Sequence, residues 1–292
     1  METGWLLLLK NKQCMNTILF ATDFSEASEH AFRQVLPVAD QLRAKIYFVH
    51  VEHVPATDIQ ASGGMLEQVM QHRRQAAMEG LNKMKWETAE FAFNNNTHIE
   101  SDHILTTGMI VEEIIHAADS IQPQFVVLGV PSHHHFPALF GGSVAGTLIR
   151  KCSWPLLLFP PVITRYPAGD ILFASGWDAG DEEILSRLMT LAAQLRKKVQ
   201  LLHISQAREN GSEQQVEAYI RKHFSKELES GHLRSVVLYE DDITGAVLSY
   251  MEANEISLLV AGHHKHMIEA FHRQIAVKLS DHSHTPVLIY QS

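Results

Sequence analysis

The chain has 292 residues, with 24 lysines and arginines against 33 aspartates and glutamates, a formal net charge of −9. Its 46% hydrophobic and 20% charged residues are the composition of a globular protein with apolar material for one or two cores, not of a disordered chain. The acid excess argues against binding along a phosphate backbone, which relies on clustered Lys and Arg, and no apolar run approaches the roughly 20 residues that span a bilayer, so neither nucleic acid nor membrane is an expected partner.

The first residues, 1–14, carry the apolar run Trp5–Leu9, shorter than the roughly 7–15 residues of a secretory signal core, and no small-residue cleavage site follows. They read as a disordered extension ahead of a fold that opens near Met15, and the expected location is the cytoplasm. Only Cys14 and Cys152 are cysteines, which excludes a disulfide framework and a Cys-rich zinc site.

In chain order, a short β-branched run (Thr17–Thr22) predicts a first strand. Ser25 stands at the N-cap position of a helix whose apolar face is Ala31, Phe32, Leu36, Ala39 and Leu42. A second strand (Ile46–Val51), a helix over about 64–90, a third strand (Ile99–Leu105) and a helix over about 109–120 follow. A fourth strand (Phe125–Gly129) leads through a loop to a helix over about 142–152, and a last strand covers Leu156–Phe159. Pro160, Pro161, Pro167 and Gly169 mark a linker.

The chain then repeats itself. ILFATDFS (Ile18–Ser25) matches ILFASGWD (Ile171–Asp178) at an offset of 153, and AKIYFVHV (Ala44–Val51) matches KKVQLLHI (Lys197–Ile204) at the same offset, with His50 over His203. QFVVLGV (Gln124–Val130) matches SLLVAGH (Ser257–His263) at an offset of 133, so the first half holds about twenty extra residues within 55–100. A period of a whole domain means tandem duplication rather than a solenoid. The second half is predicted to hold strands at Asp170–Ser175, Val199–Ile204, Leu233–Tyr239, Ser257–Ala261 and Val287–Tyr290. Its helices are expected after an Asp178 N-cap (apolar face Ile184, Leu188, Leu191, Leu195), over about 212–229, over 243–254 and over 270–281.

Strands alternating with helices imply βαβ units. The fold class is α/β: two tandem domains, each an open, five-stranded, parallel-type sheet with helices on both faces, a Rossmann-like α/β sandwich. The expected boundaries are 15–160 for the first domain, 161–169 for the linker and 170–292 for the second. In such a sheet a ligand lies at the carboxyl ends of the strands, where strand order reverses.

After the fourth strand the sequence reads GVPSHHHFPALFGGSVAG. Gly141, Gly142 and Ser143 open the next helix, where free backbone N–H groups and the positive end of the helix dipole can meet a phosphate. The same glycines can also simply turn the chain. Asp23, just past the first strand, can accept from a ribose hydroxyl or serve the N-terminus of the helix that follows.

These residues resemble the universal stress protein family. Gly129-x2-Ser132-x9-Gly142-Ser143 keeps the spacing of its G-x2-G-x9-G-[ST] loop, with Ser132 in place of the second glycine. The opening ILFATDFSEAS, the strand end around Val49–Val51 and the closing SWPLLLFPP are also similar to it, and the resemblance covers 15–292 as two copies. By that resemblance Thr22 and Asp23 would flank a nucleoside, and Val51 would meet adenine through its backbone. Gly129, Ser132, Gly142, Ser143 and Val144 would hold ribose and phosphates, making ATP or AMP the implied ligand. Serine at 132 adds a Cβ where a glycine allows positive φ or close approach. In the second half Gly176 stands at the Asp23 position, and the loop reads Gly262-x2-Lys265-x9-Ile275-Ala276, so that copy is degenerate and resembles members that do not bind ATP.

Family members pair through their last strands. The resemblance therefore implies an intramolecular pseudo-dimer with Leu156–Phe159 and Val287–Tyr290 at the seam; a homodimer of whole chains stays open. The implied role is a stress-response regulatory or binding protein, not an enzyme, with at most one adenine-nucleotide site. The alternatives are a nucleotide-free adaptor in stress response for unidentified protein partners, or a zinc-binding protein using its histidine loops.

Two look-alikes fail on spacing. SGWDAG (Ser175–Gly180) lacks the second glycine and final serine of a pyrophosphatase loop, and GGSVA (Gly141–Ala145) has no strand running straight into its serine. There is no P-loop motif.

The chain has 19 histidines, with clusters at His133, His134, His135 and at His263, His264, His266, in equivalent loops of the two halves. They are candidate zinc ligands, but no spacing fixes a geometry, and adjacent loop histidines point different ways, so solvated or helix-capping histidines are the plainer reading. Met65, Met70, Met78 and Met84 read as core or partner surface, His72-Arg73-Arg74 as a solvated helix face and Asn94-Asn95-Asn96 as a loop.

Overall fold

The computed structural model describes residues 16–53, 63–130, 144–160, 168–177, 180–205, 212–263 and 285–291. The expected extension at 1–14 and most of the linker at 161–169 lie outside the described residues.

In chain order the first half contains β1 (Thr17–Ala21), α1 (Glu26–Leu42), β2 (Lys45–Glu52), α2 (Gly63–Asn94), β3 (Ser101–Thr107), α3 (Ile110–Ile121), β4 (Phe125–Gly129), α4 (Val144–Lys151) and β5 (Leu156–Phe159). The second half contains β6 (Asp170–Ser175), α5 (Asp181–Gln194), β7 (Val199–Ser205), α6 (Ser212–His223), α7 (Ser225–Glu229), β8 (Leu233–Tyr239), α8 (Ile243–Ala253), β9 (Ile256–His263) and β10 (Val287–Gln291). The helix expected over 270–281 lies outside the described residues.

The ten strands among the described residues form one sheet in the order β3-β2-β1-β4-β5-β10-β9-β6-β7-β8. Each half contributes five parallel strands in the same order, and strand order reverses between β1 and β4 and again between β6 and β9. The seam is antiparallel, with Val287 opposite Leu158, Leu288 opposite Leu157 and Ile289 opposite Leu156. These are the two strands expected there. Each half alone would leave the last strand's ladder groups open, and pairing the two satisfies both.

Alternation along β1 sorts the core. Ile18 and Phe20 face α1 and α2, while Leu19 and Ala21 face α3 and α4. The first of these faces is one continuous apolar cluster reaching across the seam to α5, α6 and Tyr290. Phe20, Phe32 and Phe48 meet edge to face within it, with ring centroids 5.5–6.0 Å apart. On the other face Ile289 of β10 joins the first half's cluster, so the C-terminal strand completes a core built by residues more than a hundred positions earlier.

The offset between the halves is 153 at β1/β6 and falls to 132 between Ile104 and Val236, partners of Val49 and Leu202. The extra residues therefore fall between β2 and β3, where α2 runs 32 residues, about 48 Å at 1.5 Å per residue. In the second half the single helix expected over 212–229 is two, of 12 and 5 residues, broken at Phe224, whose φ of −131° leaves the helical region. Another departure is at α5. Its N-cap is Gly180, at φ 99° with no capping side chain, and not Asp178, which lies outside the described residues. Ser25 does cap α1, accepting from the Ser28 N–H.

Among the methionines of α2, Met84 is buried in the core and Met78 is half-buried, while the side chain of Met65 is outside the described residues. His72, Arg73 and Arg74 are exposed, and Arg74 reaches back to Glu52 at 3.1 Å. Cys152 is buried, and burial pushes its thiol pKa up.

Candidate functional site

The first turn after β1 is built by short-range bonds. The Thr22 N–H donates to the Val49 carbonyl, extending the β1–β2 ladder by one residue. Thr22 Oγ1 then accepts from the Phe24 N–H at 3.0 Å and from Ser28 Oγ at 2.8 Å. Asp23 Oδ1 accepts from the Ser25 N–H at 3.0 Å, so its carboxylate holds the turn that feeds α1, while remaining exposed. Phe24 lies in the left-handed region at φ 59°, and its ring stacks on His50 at 4.6 Å.

His50 closes the unit. Its Nδ1 lies 2.8 Å from the Thr22 carbonyl; a carbonyl only accepts, so Nδ1 carries the hydrogen.

The second half repeats the unit at the 153 offset. Trp177 N–H donates to Ser175 Oγ, Ser175 Oγ donates to Asp181 Oδ2, and His203 Nδ1 lies 3.2 Å from the Ser175 carbonyl. Trp177 has φ 63°, matching Phe24. There Asp181 takes the place of Ser28 and Gly176 that of Asp23, so the second copy keeps the architecture of the turn and drops its exposed carboxylate. His203 is buried, and among the described residues its Nε2 has no hydrogen-bond partner.

At the carboxyl ends of β1 and β4, where strand order reverses, lies a crevice of about 270 Å³. Five residues singled out from the sequence line it together: Thr22, Asp23, Val51, Gly129 and Val144. Ser132, Gly142 and Ser143 lie outside the described residues, as do His133, His134, His135, His264 and His266; of His263 only the backbone is described, at the end of β9. Among the described residues no group of three or more His, Cys, Asp or Glu could hold a metal ion. No described helix is long and apolar enough to cross a membrane.

The crevice walls that sequence reasoning passed over are Ser28 and His50 on the polar side and Ile110, Ile114 and Leu128 on the apolar side. The coincidence of His50 with His203 at a shared offset was the available signal for the histidine. The apolar wall comes from α3, whose i, i+4 pair Ile110 and Ile114 is indistinguishable in sequence from ordinary core.

Gly129 has a packing reason as well as a place in the crevice. A Cβ there would lie 2.2 Å from the Ala27 carbonyl oxygen, so only glycine lets β4 approach the start of α1. Among the described lining residues there is no lysine or arginine. An anion held here would depend on backbone N–H groups, and those nearest are at the first turn of α4, where Val144 and Ala145 line the crevice.

Residues 15–160 match the model of the universal stress protein family. A universal stress protein of Methanocaldococcus jannaschii is 24% identical over 142 residues, covering 48% of this chain and 79% of the relative. Among solved structures, a universal stress protein from Archaeoglobus fulgidus superposes with a TM-score of 0.72 at 15% identity, covering 94% of this chain and 98% of that one. A functionally unknown protein from Pseudomonas aeruginosa gives 0.55 at 14% identity, covering 96% and 93%. At these identities the structural likeness speaks for the fold, including its tandem arrangement.

Proposed function

Since the chain belongs to the universal stress protein family, we propose that it is a regulatory binding protein with one adenine-nucleotide site, ATP or AMP, in its first half. The observation that supports this is the crevice at the β1/β4 switch point, which gathers Thr22, Asp23, Val51, Gly129 and Val144. Asp23 is the exposed acceptor suited to ribose hydroxyls, the Val51 backbone suits the adenine edge, and the N-terminus of α4, preceded by Gly142 and Ser143, suits the phosphates. Ser132 completes the set. The second half lacks the carboxylate and is read as structural or regulatory.

The reading is of a binding protein rather than an enzyme. The hydroxyls of Thr22 and Ser28 bond each other, and His50 Nδ1 is engaged by a backbone carbonyl. The same proposal takes 15–160 and 170–292 as the two domains, and a cytoplasmic location.

The test is denaturing mass spectrometry of the purified chain for retained nucleotide, followed by ATP and AMP titration. Asp23→Ala is expected to weaken binding about tenfold, the loss of a charge-assisted hydrogen bond. Gly142→Trp is expected to abolish it, with both variants melting within a few degrees of the parent. No binding at millimolar nucleotide would overturn the site. The absence of a basic side chain from the described crevice and the packing role of Gly129 favour, as second reading, a nucleotide-free adaptor for protein partners.

A further inference from the structure

A second and larger cavity, about 620 Å³, lies on the opposite side of the α1 N-terminus from the crevice, between α1, the end of β2 and the long helix α2. Thr22, Ser28, His50 and Val51 line both spaces and form the wall between them. The larger one is otherwise mostly apolar, with Phe24, Phe32, Met70, Ala77, Gly80 and Met84 among its walls.

Duplication supplies an internal control for this space. On α2, Ala77 and Leu81 are buried four residues apart; on α6, Val216 and Ile220 are buried at the same spacing. One position before the second of each pair stands Gly80 on α2 and Tyr219 on α6. Each meets the ring that follows the first strand: a Cβ on Gly80 would lie 2.7 Å from the Phe24 ring, and Tyr219 meets Trp177 edge to face at 5.5 Å. Tyr219 also packs on His223 and Phe224. Thus where the second half sets interlocking aromatic rings, the first half sets glycine and alanine and keeps a cavity beside them.

The rim selects against a charged ligand. Lys83 pairs with Glu29 at 3.8 Å and with Glu87 at 3.6 Å, Glu52 pairs with Arg74, and Arg73 is also engaged. The rim cations Lys83 and Arg73 are thus already engaged, while Glu52 keeps one buried carboxylate oxygen, Oε1, without a hydrogen-bond partner among the described residues. One acceptor is supplied by His50, whose Nδ1 is engaged with the Thr22 carbonyl and whose Nε2 is left to meet a ligand.

We propose that this cavity is a second small-molecule site, taking an uncharged aromatic compound that carries a single hydrogen-bond donor, of the phenol or indole class. It is a space distinct from the crevice, with which it shares a wall.

The experiment is equilibrium dialysis of the full chain against 2-naphthol and, in parallel, 2-methoxynaphthalene, which keeps the ring and lacks the donor. Saturable binding of one equivalent of 2-naphthol is expected, about fivefold tighter than the ether, as one neutral hydrogen bond provides. Ala76 is exposed, lines only the larger cavity and sits clear of the core. Ala76→Trp is therefore expected to fold normally, as checked by thermal melting, and to weaken 2-naphthol at least tenfold. Trp86→Ala, on the outer face of α2 where Trp86 is 63% exposed, is expected to leave it unchanged. Non-saturable uptake, or equal binding by Ala76→Trp and the parent, overturns the proposal; equal affinity for alcohol and ether overturns the donor requirement within it.

Discussion

Gly129 and the hydroxyl pair of Thr22 and Ser28 tie the end of β1 and β4 to the start of α1. Because a Cβ at 129 would meet the Ala27 backbone rather than a yielding side chain, Gly129→Ala is expected to push strand and helix apart. Overpacking of that kind costs about 1–3 kcal/mol, read as a lower urea midpoint at unchanged slope. A midpoint equal to the parent's would mean that α1 can shift freely. The same residues explain why the first turn is so alike in both halves. Thr22 and Ser175 each use one side-chain oxygen to fix a left-handed aromatic residue two positions on, and each is bonded by a histidine from the neighbouring strand. In the second copy the partner is a buried carboxylate, Asp181, at the first turn of α5, where the helix dipole favours negative charge. The recurring His50 and His203 are visible in the sequence, but their role is not, because it depends on a bond to a carbonyl on an adjacent strand.

At the scale of elements, capping follows the sequence where a hydroxyl is available and departs from it where backbone geometry suffices. Ser25 caps α1 through its Oγ, 3.3 Å from the Ser28 N–H. Ser25→Ala is expected to lower stability by about 1 kcal/mol without altering the sheet, measured by denaturant titration with far-ultraviolet dichroism unchanged at baseline. A loss near zero would assign the capping to Asp23, whose carboxylate holds the same turn. The corresponding helix α5 begins at a glycine with positive φ, so apolar spacing located the helix while cap chemistry misplaced its start. The long α2 and the broken α6–α7 pair are the largest difference between the copies. Their lengths follow from the shrinking offset between repeats, but the cavity under α2 does not. It lies where Gly80 meets Phe24 in place of the Tyr219–Trp177 contact of the second half, each a meeting of residues more than forty positions apart.

At the scale of the whole molecule the seam decides cooperativity. Ile289 is buried in the first half's core although it belongs to the last strand of the chain. Ile289→Ala is expected to cost about 2–5 kcal/mol and to lower the melting temperature of both halves together, in one calorimetric transition. Two separated transitions would show instead that the halves unfold alone. Tyr290, beside it, is 7% exposed, and burial pushes its phenol up to about 12, slightly opposed by Arg187. A pKa raised in the folded state gives stability that is whole below the unfolded value near 10 and is lost as pH climbs from there toward 12. Alkaline unfolding is therefore expected to begin above about pH 10. Tyr290→Phe, which has no proton to lose, is expected to move its onset upward in a pH-jump dichroism series; an unmoved onset would assign alkaline unfolding to other groups.

What the sequence determined by itself is the repeated βαβ order, the α/β class, the seam strands and five of the residues round the crevice. The βαβ order and the class follow from local signals, namely apolar periodicity, glycine and proline punctuation, and one copy read against the other, whereas the seam strands and the crevice residues were implied by the resemblance to the universal stress protein family. Only tertiary structure decided that the two five-stranded sheets join into one, that Gly129 is constrained by Ala27, and that His50 stands between two cavities, one of them about 620 Å³. Those facts depend on which distant side chains meet. Such meetings are fixed by packing and register across the whole sheet, and a residue's neighbours along the chain carry no record of them.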